Sequence, residues 1–124
     1  MKILDEYFIL FDESRNSEES FEKLNDLFSE DIEFVLNKKS FKGKAAWKQF
    51  VKSVFQSNKD LKHMHNGWEQ NADGSYETHW AICGNRYDTG VYTQEGKDIA
   101  RLDDSGKIVY LENQPTDENL FSNQ

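Results

Sequence analysis

One cysteine, Cys83, is present in the 124 residues, so no disulfide can form within the chain and no Cys-based zinc cage can be built. Cations are also scarce: 15 Lys and Arg stand against 23 Asp and Glu, a formal net charge of −8. Non-specific attraction to nucleic acid or to an anionic membrane needs surplus Lys and Arg, so neither partner is expected. Long apolar runs are missing. The first, in MKILDEYFILFDES, is broken by Asp5 and Glu6 where a signal peptide needs an uncharged centre, and no stretch reaches transmembrane length. A reduced, cytoplasmic setting is the expectation. The single proline, Pro115, precedes a polar stretch, and 115–124 reads as a tail that frays. No repeat, low-complexity segment or linker divides the chain, so 1–124 is expected to be one domain with one core.

Rings are what the sequence has in quantity: nine Phe, five Tyr and three Trp. Burial can therefore rest on large aromatic side chains. In the first third they fall at helical spacing. Ile3, Leu4, Tyr7, Phe8, Leu10 and Phe11 predict a helix from Ile3 to Asp12. Ser17, or else Ser20, can cap a second helix with the stripe Phe21, Leu24, Leu27 and Phe28. Ile32, Phe34 and Leu36 alternate as a short strand, Asn37 to Ser40 make a turn, and Lys44 to Gln56 form a third helix around Trp47, Phe50, Val51, Val54 and Phe55. From Leu61 the period changes to two. Leu61–Asn71, Tyr76–Tyr87, Val91–Asp103 and Lys107–Asn113 read as four strands. The turns between them are Asp73-Gly74, Asp88-Thr89-Gly90 and Asp104-Ser105-Gly106. Three helices followed by an antiparallel meander predict an α+β fold in which the helices pack on one face of a curved sheet, a cone with an internal cavity.

Counting outward from the turns gives a register. Ala72 opposite Ser75 sets His65 against Ile82, Gly67 against Trp80 and Glu69 against Thr78. Tyr87 opposite Val91 sets Trp80 against Asp98 and Thr78 against Ala100. One face then collects His63, His65, Glu69, Thr78, Trp80, Ile82, Asp98, Ala100 and Leu102. The other collects Met64, Asn66, Trp68, His79, Ala81, Cys83, Ile99 and Arg101. The first set mixes apolar walls with a few ionisable groups, as a pocket does. A one-residue bulge near Gly96 would exchange Asp98 between faces.

Three stretches resemble a known family. Glu6 to Asp12 is similar to the first helix of the nuclear transport factor 2-like superfamily. Leu27-Phe28-Ser29-Glu30-Asp31-Ile32-Glu33-Phe34 and Phe41-Lys42-Gly43-Lys44 resemble the segments leading into its first strand and third helix. Asp98-Ile99-Ala100-Arg101-Leu102 with Gly106-Lys107-Ile108 resembles its recurrent strand pair. Within the superfamily the chain is similar to the SnoaL-like polyketide cyclase and ketosteroid isomerase branch. The resemblance implies the cone, or roll, described above. In ketosteroid isomerases a helix tyrosine and a neutral aspartate hold an enolate oxygen, a known case of an acid kept protonated by an apolar site. By motif those positions fall on Tyr7 and Asp98. The base of those enzymes, late in the first strand, falls on Leu36, with Asn37 beside it. SnoaL-like cyclases and scytalone dehydratases pair histidines with an aspartate instead, a role open to His63 and His65.

Asp98 in an apolar pocket would have its ionised form disfavoured and could donate a proton. His65 is the first choice of base, because an imidazole titrates near neutral pH. Tyr7 would assist Asp98. Trp80, His63, Ile82, Ala100, Leu102, Leu111 and Asn113 are the expected ligand contacts. His63-x-His65 with Glu69 resembles part of a cupin metal motif, but its leading glycine and second half are absent, so neither metal nor other cofactor is expected. Trp68, Met64 and Ala81 on the outer sheet face predict a homodimer. Two functions remain open. One is cofactor-free acid–base chemistry next to a carbonyl on a small, mostly apolar molecule: isomerisation, cyclisation or dehydration. The other is a non-catalytic ligand-binding or regulatory module using the same cavity.

Overall fold

The computed structural model describes residues 2–116. Most of the polar tail, 117–124, lies outside the described residues. Helix α1 spans Lys2–Glu13 and α2 Glu18–Asp26; strands β1 (Phe28–Leu36) and β2 (Lys39–Lys42) lead to α3 (Lys44–Ser57). Strands β3 (Asn58–His65), β4 (Glu69–Gln70), β5 (Tyr76–Arg86), β6 (Gly90–Leu102) and β7 (Ile108–Pro115) follow. The architecture is α+β: three helices on one face of a curved, mostly antiparallel sheet that does not close. The strand order is β2-β1-β7-β6-β5-β3, with β4 paired to β5. Among the described residues no helix is long and apolar enough to cross a membrane.

Local chemistry sets the element ends. Ser17 caps α2, its Oγ accepting the Ser20 N–H at 3.1 Å. Asn37 and Lys38 take positive φ in the tight β1–β2 turn, and Lys39 and Ser40, the second half of the expected turn, pair with β1 as the start of β2. Gly43, at φ 98°, starts α3, and its N–H donates to Ile32 O at 2.8 Å, tying the helix start to β1. The core is aromatic. Phe28 stacks on Trp47 with centroids 4.3 Å apart, and Tyr7 packs on Phe8, Phe11, Phe28 and Trp47.

The sheet departs from the expected meander in three ways. First, β1 lies parallel to β7, with Phe34 beside Leu111 and Leu36 beside Asn113. It covers an edge that a meander alone would leave open. Second, β7 runs on to Pro115, which pairs with Gly96. Third, the hairpins turn at other residues than expected: the one before β5 holds three residues where two were expected, and the β5–β6 turn keeps three but begins one residue earlier. Arg86 faces Gly90 across a three-residue turn, so Thr78 meets Asp98 and Trp80 meets Gly96. His63 meets Ile82 and His65 meets Trp80. These pairings are two residues from the expected ones, and an even slip keeps each side chain on its face.

The expected strand Leu61–Asn71 is split. Gly67 adopts φ 96°, and β3 ends before it. Beyond this break Glu69 meets Glu77, an odd offset that turns Glu69 to solvent. The same break brings Trp68 to the helix side, where it stacks on Phe8 at 6.1 Å and 17°. Trp68 therefore does not join Met64 on the outer face, which corrects the expectation.

Candidate functional site

Between α1, α3 and the concave sheet lies a cavity of about 360 Å³, within the range of small-molecule sites. Its floor is set by strand alternation. Trp80 and Ile82 point in from β5, Gln94 and Asp98 from β6, Leu111 and Asn113 from β7. α1 supplies Tyr7, Phe8 and Phe11, and β3 supplies His63.

Asp98 is 3% exposed. One oxygen, Oδ1, accepts from Trp80 Nε1 at 2.9 Å and from Asn113 Nδ2 at 3.1 Å. Burial pushes its pKa up to about 7, against the pull of the Asn113 and Trp80 hydrogen bonds. With Oδ1 used twice as an acceptor, the proton belongs on Oδ2, which has no partner among the described residues. The neutral acid is thus free to donate into the cavity. Asn113 Oδ1 is buried beside it without a partner. Gly96 makes the Trp80 position possible: a Cβ there would meet the Trp80 ring at 2.6 Å, Gln114 O at 2.6 Å and Pro115 Cα at 2.8 Å.

Tyr7 is 5% exposed, and its hydroxyl makes no hydrogen bond among the described residues. Burial raises its pKa well above the ordinary phenol value, and the charges of Asp98 and then Asp12 add to the rise. Tyr7 therefore stays a neutral donor.

Asp12, which sequence reasoning passed over, is the orienting partner of His63. Its Oδ2 accepts the His63 backbone N–H at 2.8 Å, and its Oδ1 lies 2.6 Å from His63 Nδ1. A carboxylate at Nδ1 holds the proton there and leaves Nε2 as the basic nitrogen. Phe8, stacked on the imidazole at 5.1 Å, and Phe11, edge-on at 5.0 Å, clamp the ring. The partners are 51 residues apart. The only available signal was an acid ending the α1 pattern.

The ten expected site residues divide. Tyr7, His63, Trp80, Ile82, Asp98, Leu111 and Asn113 line the cavity; His65, Ala100 and Leu102 do not. His65 shares the face of His63, but its Nδ1 accepts the Gly67 N–H at 3.1 Å and its ring lies against Phe8 at 5.0 Å. It faces the Phe8 ring, outside the cavity lining, so of the two histidines only His63 reaches the cavity. Ala100 is wholly buried and Leu102 packs against the core, one strand pair past Asp98. Both are structural, a correction that follows from the register: Ala100 meets Tyr76 and not Thr78. No three His, Cys, Asp or Glu converge among the described residues, and Glu69 points away from His63 and His65.

Three helices on a curved, unclosed, mostly antiparallel sheet are the NTF2-like type of fold. The chain belongs to the SnoaL-like domain family, whose sequence profile matches residues 1–100. An NTF2-like protein of unknown function from Exiguobacterium is 53% identical to it, over 93% of this chain and 98% of that one, with a TM-score of 0.90. A candidate polyketide cyclase from Xanthomonas campestris matches over 90% of this chain and 86% of that one, at 17% identity and TM-score 0.70. The epoxide hydrolase/cyclase-like enzyme SalBIII, of pyran ring formation in the polyether salinomycin, matches over 92% and 88%, at 18% identity and TM-score 0.73. The last two are similar in fold. No curated protein matches the chain.

Proposed function

We propose that the protein is a cofactor-free acid–base catalyst that moves a proton next to the carbonyl of a small, mostly apolar molecule. The observation that carries this is the Asp12–His63 pair opening into the cavity that also holds neutral Asp98. His63 Nε2 takes the proton from the carbon beside the carbonyl. Asp12 keeps the imidazole in the required tautomer and balances the charge it gains. Asp98 Oδ2 and the Tyr7 hydroxyl donate to the carbonyl oxygen as it becomes enolate, in a site walled by rings and screened from water. Return of the proton to another atom completes an isomerisation, and loss or attack of an oxygen completes a dehydration or cyclisation. The cyclase-like relatives agree with this class of chemistry.

The binding-module reading has one observation in its favour. Leu36 and Asn37 line the cavity where ketosteroid isomerases carry their base. Exchange of the α-protons of 2-tetralone in D₂O, followed by proton NMR, separates the two. Catalysis predicts washout accelerated at least about 10²-fold over buffer, abolished by His63→Gln and reduced by Tyr7→Phe. The rate should also fall as pH rises through about 7, where Asp98 loses its proton. Binding of the ketone with no exchange above buffer replaces this reading with the binding module.

Two surface properties are proposed on narrower grounds. The free, exposed Cys83 fits a reducing cytoplasm. Met64, 54% exposed on the outer sheet face, supports the homodimer; a monomer by light scattering at micromolar concentration overturns it.

A further inference from the structure

One buried side chain on the cavity wall has no role in the proposed reaction and no partner in the protein. Gln94 is 5% exposed and lines the cavity, and its Nε2 is buried without a hydrogen-bond partner. Its Oε1 accepts no hydrogen bond among the described residues either. The sheet register leaves the amide in this state. Its neighbour on β5 is Ile82, which has no polar group, and β7 pairs with β6 no further than Pro115, opposite Gly96. The flanking inward positions on β6 are Tyr92 and Gly96. The Tyr92 hydroxyl already donates to Asn58 Oδ1 at 2.9 Å, and glycine has no side chain. A buried amide left unpaired costs stability, and such groups are rare in folded proteins.

The wall between Gln94 and Asp98 is aromatic. Gln94 lies roughly 13 Å of strand from Asp98, on the same face, at ~3.3 Å per residue. Gly96 stands between them, and the Trp80 ring occupies the place of its side chain, 2.6 Å from where a Cβ would be. Trp80 lines the cavity as well. Along one wall the cavity therefore offers a neutral acid, an indole and a free amide. The ~13 Å of strand, less two hydrogen bonds of about 2.9 Å each, leaves about 7 Å between two ligand oxygens, the span across two fused rings. A cavity of about 360 Å³ has room for such a body.

We propose that Gln94 binds a hydroxyl group of the ligand, so that the molecule taken up is a flat hydroxy ketone with its carbonyl oxygen on Asp98, its hydroxyl on Gln94 and its rings along Trp80. The Gln94 amide presents its NH₂ or, turned about its last bond, its oxygen, and a hydroxyl accepts from the one and donates to the other. Flat rings gain from contact with the indole. The inference rests on the oxygen-binding role given to Asp98 above, and it names the second oxygen of the same substrate.

Three naphthols test it, their first phenolic oxygen standing in for the enolate oxygen at Asp98. They are 2-naphthol, 2,7-dihydroxynaphthalene with oxygens at both ends, and 2,3-dihydroxynaphthalene with the same atoms but adjacent oxygens. Naphthol fluorescence reads the affinities. The wild type should prefer the 2,7-diol to 2-naphthol at least about tenfold, and to the 2,3-diol at least about fivefold. In Gln94→Met, close in shape but without the amide, the 2,7-diol should bind no better than 2-naphthol, because its second hydroxyl is then buried unpaired. The same variant, free of ligand, should unfold in urea at an equal or higher midpoint, since an orphaned polar group has been removed. Thr93, next to Gln94 on β6, is exposed, and Thr93→Val should leave the preference unchanged.

Equal affinity of the wild type for the 2,7-diol and 2-naphthol overturns the proposal, whether or not the variant folds. So does equal affinity for the two diols, a preference that survives Gln94→Met, one that Thr93→Val lowers as much, or failure of the 2,7-diol to bind. A lower urea midpoint in Gln94→Met, with all three naphthols weakened alike, assigns Gln94 to the fold and rejects the site. No preference in a wild type that exchanges 2-tetralone rejects the Gln94 site and leaves the reaction standing. A preference abolished by Gln94→Met, in a protein with no exchange, supports the site and rejects the reaction.

Discussion

The sheet wall and the helix wall of the cavity reach the same space by different routes. On the sheet side, Asp98, Trp80 and Asn113 are brought together by strand pairing. Asp98 faces Asn113 on β7 and lies one pair from Trp80 on β5. Their identities follow from backbone register, and a slip of one residue would remove all three at once. On the helix side, Tyr7, Phe8 and Asp12 project from α1 and find partners only because the helix docks at one depth. That docking sets Phe8 against both His63 and His65, two residues apart on the same face, yet only His63, held by Asp12, lines the cavity. Alternation chooses the face of a strand, and the element packed over it chooses which residues on that face stay open.

The largest expected effect tests the sheet wall. Asp98 in the folded protein keeps its proton to about 7, whereas its ordinary value is 3.8. Between those values the native state binds a proton that the unfolded chain has released, so stability falls as pH rises through the window. At pH 8 the buried carboxylate costs the wild type of order 4 kcal/mol, which the isosteric amide of Asp98→Asn escapes. Urea unfolding from pH 4 to pH 8 should show the variant gaining on the wild type across that range. A difference that stays constant with pH means that Asp98 ionises freely and the wall is not dry.

Gly96→Ala acts on the same wall through shape. Its Cβ would press on Gln114 O and Pro115 Cα, which are backbone, and on the Trp80 ring. Backbone cannot swing aside, so a cost of about 1–3 kcal/mol is expected. Trp80 should move away from Asp98, altering the near-ultraviolet circular dichroism. Unchanged stability and an unchanged indole signal would show that the tight strand contact is not what holds Trp80 on the acid.

These two residues also mark what the sequence made readable. Turn composition and period two were enough to put Asp98, Trp80, Ile82 and His63 on one face, because an error of two residues preserves the face. They could not tell that Ala100 is buried in the core and Asp98 beside the cavity, because that depends on where each turn begins. Gly67 was visible as a glycine, but its φ of 96° and the resulting swing of Trp68 onto Phe8 were not. The parallel pairing of β1 with β7 carries no local signal, since neither strand's pattern names its partner. Asp12 was hidden for the same reason: a contact 51 residues long is a property of packing.

Asp12→Asn sharpens the helix side. The amide can keep one of the two bonds to His63 but cannot accept at both positions. A loss of about 1–2 kcal/mol is expected. The imidazole should also leave the tautomer with its proton on Nδ1, which nitrogen chemical shifts of His63 would record. An unaltered tautomer would mean that Asp12 braces the backbone of β3 without directing the base, and the helix wall would lose its chemical role.

His65→Gln should do the least, and it separates the two walls most cleanly. The residue gives up one acceptor for the Gly67 N–H and one ring contact with Phe8, together worth about 1 kcal/mol or less in a half-exposed setting. Its chemistry, face and strand are those of His63, and Phe8 touches both; what differs is that Asp12 holds His63, which lines the cavity, while His65 accepts the Gly67 N–H outside the lining. If that placement decides function, His63→Gln abolishes 2-tetralone exchange while His65→Gln leaves the rate within about twofold of wild type. Equal losses from the two would mean that α1 shifts to expose both rings, and the depth of the helix would no longer explain which histidine serves as base.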